Sequence, residues 1–257
     1  MRKIGPPVWP WSVNSKLASQ GMAVFNRATA DGGCVECHGI TPGTPRFLDQ
    51  KTWATPVLNV GTDTREYDVL ALTADTGVLN GATTLLDRTP LKPIDATVAI
   101  LGTSILGSIE QYCIANPITC ATNFLLPDGP GGRPPAASIL QDIAQELPLF
   151  QAQTSGAYES RVLQGIWAAA PYLHNGSVPS LAQLLTPPAQ RVASFAVGPK
   201  YDRNAIGLAA TQTKFNYVFQ ATGCDNLNSG NSNCGHDYGT SLSDTDKAAL
   251  LEYLKTL

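Results

Sequence analysis

Apolar and polar positions alternate with helical spacing at the two ends of the chain and lose any period between them. In residues 14–30, "NSKLASQGMAVFNRATA", Leu17, Gly21, Val24 and Phe25 recur on one face. That spacing predicts a helix, with Asn14 or Ser15 able to cap it. Gly21 sits on the apolar face and costs helix propensity, which points to a close approach by a second helix. At the other end, "SDTDKAALLEYLKTL" (243–257) opens with Ser243 and acidic residues at 244 and 246. Leu250, Leu254 and Leu257 then share a face. These two helices are expected to cross, with Gly21 near the contact.

Between them the punctuation is dense. Residues 40–95 carry "TPVLNVGTDTREYD" and "TADTGVLNG" and read as loop with short helical turns. Residues 97–115 are apolar and helical, ending before Asn116-Pro117. "LLPDGPGGRPPAAS" (125–138) is a strong breaker and the candidate internal boundary. A short helix is expected over 137–147, and 186–242 is turn-rich again. The predicted fold is mainly α. It is a single domain over 1–257 with long irregular loops at 40–95 and 186–235 and little β structure.

Composition changes this picture little. Apolar residues make up 43% and charged ones 14%, and Gly (23) and Pro (19) are frequent. Net charge is −3 with no basic or acidic run, so nothing supports nucleic-acid or membrane-surface binding. No uninterrupted apolar stretch reaches the ~18 residues of a membrane span. Val98–Ile109 is broken by Gly102 and Gly107. The opening residues are basic but lack the apolar core of a signal peptide.

The chemistry lies in "DGGCVECHGITPG" (31–43). Cys34-Val35-Glu36-Cys37-His38 has the spacing by which a chain captures haem covalently. Cys34 and Cys37 would form thioethers and His38 would ligate the iron, giving one haem c. The remaining ring nitrogen of His38 needs an acceptor, and a backbone carbonyl near Pro42 is the expected one. The other four of the six cysteines fall into close pairs, Cys113/Cys120 and Cys224/Cys234. Spacers of six and nine residues do not suit zinc, so both pairs read as disulfides. With a c-type haem they place the chain in the periplasm or outside the cell.

The second axial ligand follows partly by elimination. Methionine is common in small cytochromes, but the chain has only Met1 and Met22, both poorly placed. Two histidines remain, in "APYLHNGSVPSL" (His174) and "NSNCGHDYGTSLSD" (His236). The Gly/Asn-rich loop beside a disulfide favours His236. His174, between Pro171 and Pro179, suits a pocket lining. Tyr238 is a further candidate ligand.

"RVLQGIWAAAPYLHNGSVPSLAQLL" (161–185) resembles the signature of the di-haem cytochrome c peroxidase superfamily. With 230–257 and 55–65, it looks most like the branch containing bacterial rubber oxygenases. The resemblance covers most of the chain and matches the C-terminal, electron-transfer half of such proteins. It implies His236 as sixth ligand and His174 near the haem propionates or the distal side. One C-x-x-C-H is present where the family usually has two. The chain is therefore expected to be a cytochrome c-like domain that is a fragment, a single-haem relative, or one whose partner is another polypeptide, with a redox partner protein or a second haem domain as its partner.

Two functions follow. In the first, His38 and His236 ligate the iron from both sides and the domain carries electrons. Trp167 and Tyr172 then pack by the haem and Arg161 pairs with a propionate. In the alternative the iron is open, His174 is the distal acid–base group, and the protein is a haem peroxidase or oxygenase acting on peroxide or O2.

Overall fold

A computed structural model describes residues 6–39, 55–69, 72–83, 88–120 and 156–257. The chain divides into two compact units. One comprises Met1–Thr41, Thr55–Arg65 and Gly156–Leu257, the other Pro42–Ala54 and Glu66–Ser155. The breaker stretch 125–138 and the helix expected over 137–147 lie outside the described residues.

The first unit is built on two crossed helices. The N-terminal helix (Ser15–Phe25) starts at Asn14, whose side-chain oxygen accepts the Leu17 N–H at 3.1 Å. It buries Ala18, Gly21, Val24 and Phe25. The C-terminal helix (Asp244–Leu254) starts at Ser243, whose hydroxyl accepts the Asp246 N–H at 3.1 Å. It buries Ala249, Leu250 and Leu254. A Cβ on Gly21 would collide with the Ala249 carbonyl, so the helices cross backbone to backbone at that point. A bidentate pair between Arg27 and Asp246 (2.8 and 3.1 Å) joins the end of one helix to the start of the other.

The remaining core comes from both flanks of the chain. Trp9 meets Trp11, Trp167 and Tyr201 edge-on, and it joins Tyr172, Val178, Leu181, Leu185 and Ile206 in one apolar cluster. Residues 172–178 form a tight reversal. Tyr172 and Val178 exchange backbone hydrogen bonds (2.6 and 3.2 Å) across a turn with positive φ at Leu173 and Gly176.

The expectation of a mainly α fold is corrected here. Of the described residues, 35% are helical and 13% lie in strands. The turn-rich segment 186–242 hides two antiparallel ladders. Ser194–Val197 pairs with Tyr217–Gln220, and Tyr201–Asp202 pairs with Gly207–Leu208. Phe195 stacks on Phe219 across the first ladder (5.1 Å). A third ladder joins Val57–Leu58 to Tyr158–Glu159. Strands of two to four residues show too few alternations to register as a period-2 pattern.

In the second unit, Thr73–Asp75 pairs antiparallel with Ile94–Ala96, which runs into the helix Thr97–Ala115. That helix has 19 residues and a mean hydropathy of 1.4, with none of it buried. By length and composition alone it is long and apolar enough to cross a membrane. Cys113 is disulfide-bonded; the side chain of Cys120 lies outside the described residues.

Candidate functional site

The haem motif is tied directly to the end of the N-terminal helix. The Cys34 N–H donates to the Phe25 carbonyl (2.9 Å) and the Gly33 N–H to the Ala28 carbonyl (3.0 Å). The short helix Val35–His38 follows, with the His38 N–H donating to the Cys34 carbonyl (2.9 Å). Cys34 and Cys37 are both unpaired. Burial pushes the Cys34 thiol up to about 11, with Cys37 beside it acting the same way. Burial and then the neighbouring Glu36 raise Cys37.

Both cysteines, His38 and His236 line one cavity of about 340 Å³. Leu181, Leu184, Leu185, Leu250 and Leu254 also line it, which gives it a largely aliphatic surface. The imidazoles of His38 and His236 have ring centres 6.1 Å apart, their planes tilted by 44°. An imidazole nitrogen bonds a first-row metal at about 2 Å and lies about 1.1 Å from its own ring centre. Two imidazoles on opposite faces of one ion therefore hold their centres about 6.2 Å apart. Among the described residues no cluster of three or more His, Cys, Asp or Glu could hold a metal ion. A pair of imidazoles in an apolar cavity, with two thiols in its lining, would suit a metal that brings further donors of its own.

His38 is oriented for this. Its Nδ1 lies 2.6 Å from the Arg161 carbonyl. A carbonyl only accepts, so Nδ1 carries the proton and Nε2 keeps its lone pair. The acceptor is Arg161 and not a carbonyl near Pro42, a residue outside the described set. Burial lowers the His38 pKa, with the Arg161 hydrogen bond acting against it. Burial, with the His38 ring and the Arg191 guanidinium in the same direction, pushes His236 down to about 4. Both rings are thus neutral at neutral pH, as metal ligands must be. The Nδ1 of His236 is buried and has no hydrogen-bond partner among the described residues.

The loop that carries His236 is held from three sides. The His236 N–H donates to the Val60 carbonyl at 2.9 Å. Gly235 packs so tightly on the backbone of Gly61 and Thr62 that any Cβ there would collide. His236 itself has φ +52°, a conformation uncommon outside glycine. The Cys224–Cys234 disulfide closes the loop two residues earlier. Asp63, 1% exposed, accepts from the backbone N–H groups of Gly230 (3.0 Å) and Ser232 (3.1 Å) and from the Ser229 hydroxyl (3.3 Å). Asn175 donates to the Ser232 carbonyl at 2.8 Å, linking the 172–178 reversal to the same loop. Arg191 is buried and donates to carbonyls within the loop, His236 included. Burial pushes it down to about 10, with Asp237 acting against that, so it is charged at neutral pH.

The other expected site residues fall in different places. Tyr172 is buried and lines the cavity, its hydroxyl directed at the Trp167 carbonyl (3.4 Å). Burial raises its pKa. His174 sits at the tip of its turn, exposed, stacked on Tyr158 at 3.9 Å, and forms part of the cavity lining. Arg161 lines the cavity and its side chain is exposed. Trp167 is not among the lining residues. Its Nε1–H donates to the Pro7 carbonyl (3.2 Å) and its ring packs on Trp9, so it serves the core. Met22 is 48% exposed. Tyr238 lies edge-on to His236 (5.7 Å) and also lines the cavity.

Residues 157–196 match the RoxA-like, cytochrome c-like family model. The match supports a haem-binding cytochrome domain of the RoxA-like kind, and the RoxA-like segment contains Arg161, Tyr172, His174 and Arg191. The uncharacterized protein y4iJ of Sinorhizobium fredii (strain NBRC 101917 / NGR234) is 30% identical over 280 residues, covering 98% of this chain and 41% of the relative. The uncharacterized protein y4iM of the same strain is 34% identical over 122 residues, covering 38% of this chain and 27% of the relative. The chain thus spans about two fifths of the length of y4iJ.

Proposed function

We propose that this chain is a c-type cytochrome domain that carries electrons through one haem c, whose iron His38 and His236 would hold. The observation that carries the reading is the 6.1 Å separation of the two imidazole centres across an apolar cavity. When bound, the haem supplies a one-electron iron couple. The chain's own residues do the rest. Cys34 and Cys37 anchor the ring edge and the leucines exclude water. The Arg161 carbonyl fixes the tautomer of His38.

With His38 and His236 both holding the iron, peroxide or O2 would find no open position on it. Two imidazoles also set a lower potential than imidazole with thioether. The partner is a redox protein or a second haem domain. The alternative, an open-iron peroxidase or oxygenase with His174 as acid–base group, requires His236 to leave the metal. The Cys224–Cys234 disulfide supports a periplasmic or secreted location. Relation to the di-haem peroxidases, with this chain as the electron-transfer half, belongs to the same proposal.

Covalent attachment is tested directly. Acidified acetone is expected to leave the haem on the wild-type chain and to extract it from Cys34→Ser/Cys37→Ser. Extraction from the wild type would contradict the thioether assignment.

A further inference from the structure

Arg191 has no place in a list of ligands, yet its surroundings are built around the His236 side of the cavity. It is 6% exposed. Its guanidinium makes five hydrogen bonds, all to backbone carbonyls. Nε donates to Thr186 (3.1 Å), and Nη1 to Asn233 (2.6 Å) and Gly235 (2.9 Å). Nη2 donates to Leu184 (3.2 Å) and to His236 itself (3.1 Å). Two of these carbonyls belong to the Leu181–Leu185 wall of the cavity and its exit, and three to the loop carrying His236. The guanidinium therefore clamps that wall to the loop.

Among the described residues no carboxylate is one of its hydrogen-bond partners. Asp237 acts on it through space and offsets part of a charge that burial leaves weakly screened. The remaining field falls on the backbone of His236, whose imidazole centre lies 6.1 Å from that of His38. A cation there disfavours the more positive ferric state and so raises the potential. The clamp also grips the carbonyl of a residue held at φ +52°, a conformation that persists only when its surroundings enforce it.

We infer that Arg191 is a positioning residue for the iron site, holding His236 in ligating geometry and raising the reduction potential of the bound haem through its buried charge. The inference rests on His236 being an iron ligand.

The test compares wild type, Arg191→Gln and Arg191→Lys as holoproteins, reading ferric spin state, CO uptake and reduction potential. In Arg191→Gln, CO uptake is expected to rise at least about tenfold. The ferrous form should be disfavoured at least about tenfold at fixed potential, about 59 mV for one electron. Arg191→Lys keeps the charge but not the five-fold grip. It should raise CO uptake while holding the potential within that tenfold, and it decides the matter should the Gln variant not accumulate. A low-spin wild type whose two variants match it in CO uptake and potential would overturn the role of Arg191 and leave the ligand reading standing. A high-spin wild type would remove the ligand reading and this inference with it.

Discussion

Replacing His236 by alanine is expected to convert a low-spin ferric haem to a high-spin one and to open the ferrous iron to CO. The ring centre lies 6.1 Å from that of His38, and among the described residues no methionine is placed to substitute for it. Met22 is on the surface. The size of the change follows from population arithmetic. An iron that a bound imidazole leaves open about 1% of the time gains about a hundredfold in apparent CO affinity when the imidazole is removed. His174→Ala is the matched control and is expected to remain low-spin, because that ring sits at an exposed turn tip against Tyr158. A His236→Ala protein with an unchanged low-spin spectrum, together with a His174→Ala protein that turns high-spin, would move the ligand to His174.

The second large effect is on folding. Gly21→Val is expected to destabilise the protein by about 3 kcal/mol or more. Helix propensity argues the other way, since removing a helical glycine gains at most about 1 kcal/mol. Packing decides the sign. Any Cβ on Gly21 collides with the Ala249 carbonyl and crowds Tyr253, and backbone cannot step aside as a side-chain tip can. Separating the helices also pulls Leu250 and Leu254 from the cavity wall. At about 2–4 °C per kcal/mol for a domain of this size, the melting temperature should fall by about 6–12 °C. A melt within a degree or two of wild type would mean that the helices do not cross at Gly21.

These two positions were legible in the sequence for different reasons. Gly21 stands on an apolar helical face where propensity disfavours it, so its presence signals contact. His236 is reached by counting, because His38 needs a partner and the chain offers few groups able to bind iron. The Cys34–His38 motif is local and reads directly. The supports of His236 are not local. Asp63 bonds backbone more than 160 residues away and Arg191 bonds backbone 42 to 45 residues away. Neither acceptors nor donors of the main chain leave a mark on side-chain pattern. The ladder between Ser194–Val197 and Tyr217–Gln220 was missed because four residues in a turn-rich stretch carry too little alternation. Trp167 was placed near the haem by its neighbours in sequence. Its indole N–H instead reaches Pro7 and its ring packs on Trp9, contacts some 160 residues away in sequence.

The central claim is a single iron held by His38 and His236 in a domain that transfers electrons. The most direct test is the absorption and EPR spectrum of the purified holoprotein, ferric and ferrous, with and without CO. The expected result is a low-spin ferric signal, no methionine–iron band, and negligible CO binding. A high-spin ferric signal with ready CO binding would contradict it and assign the cavity to peroxide or O2 chemistry.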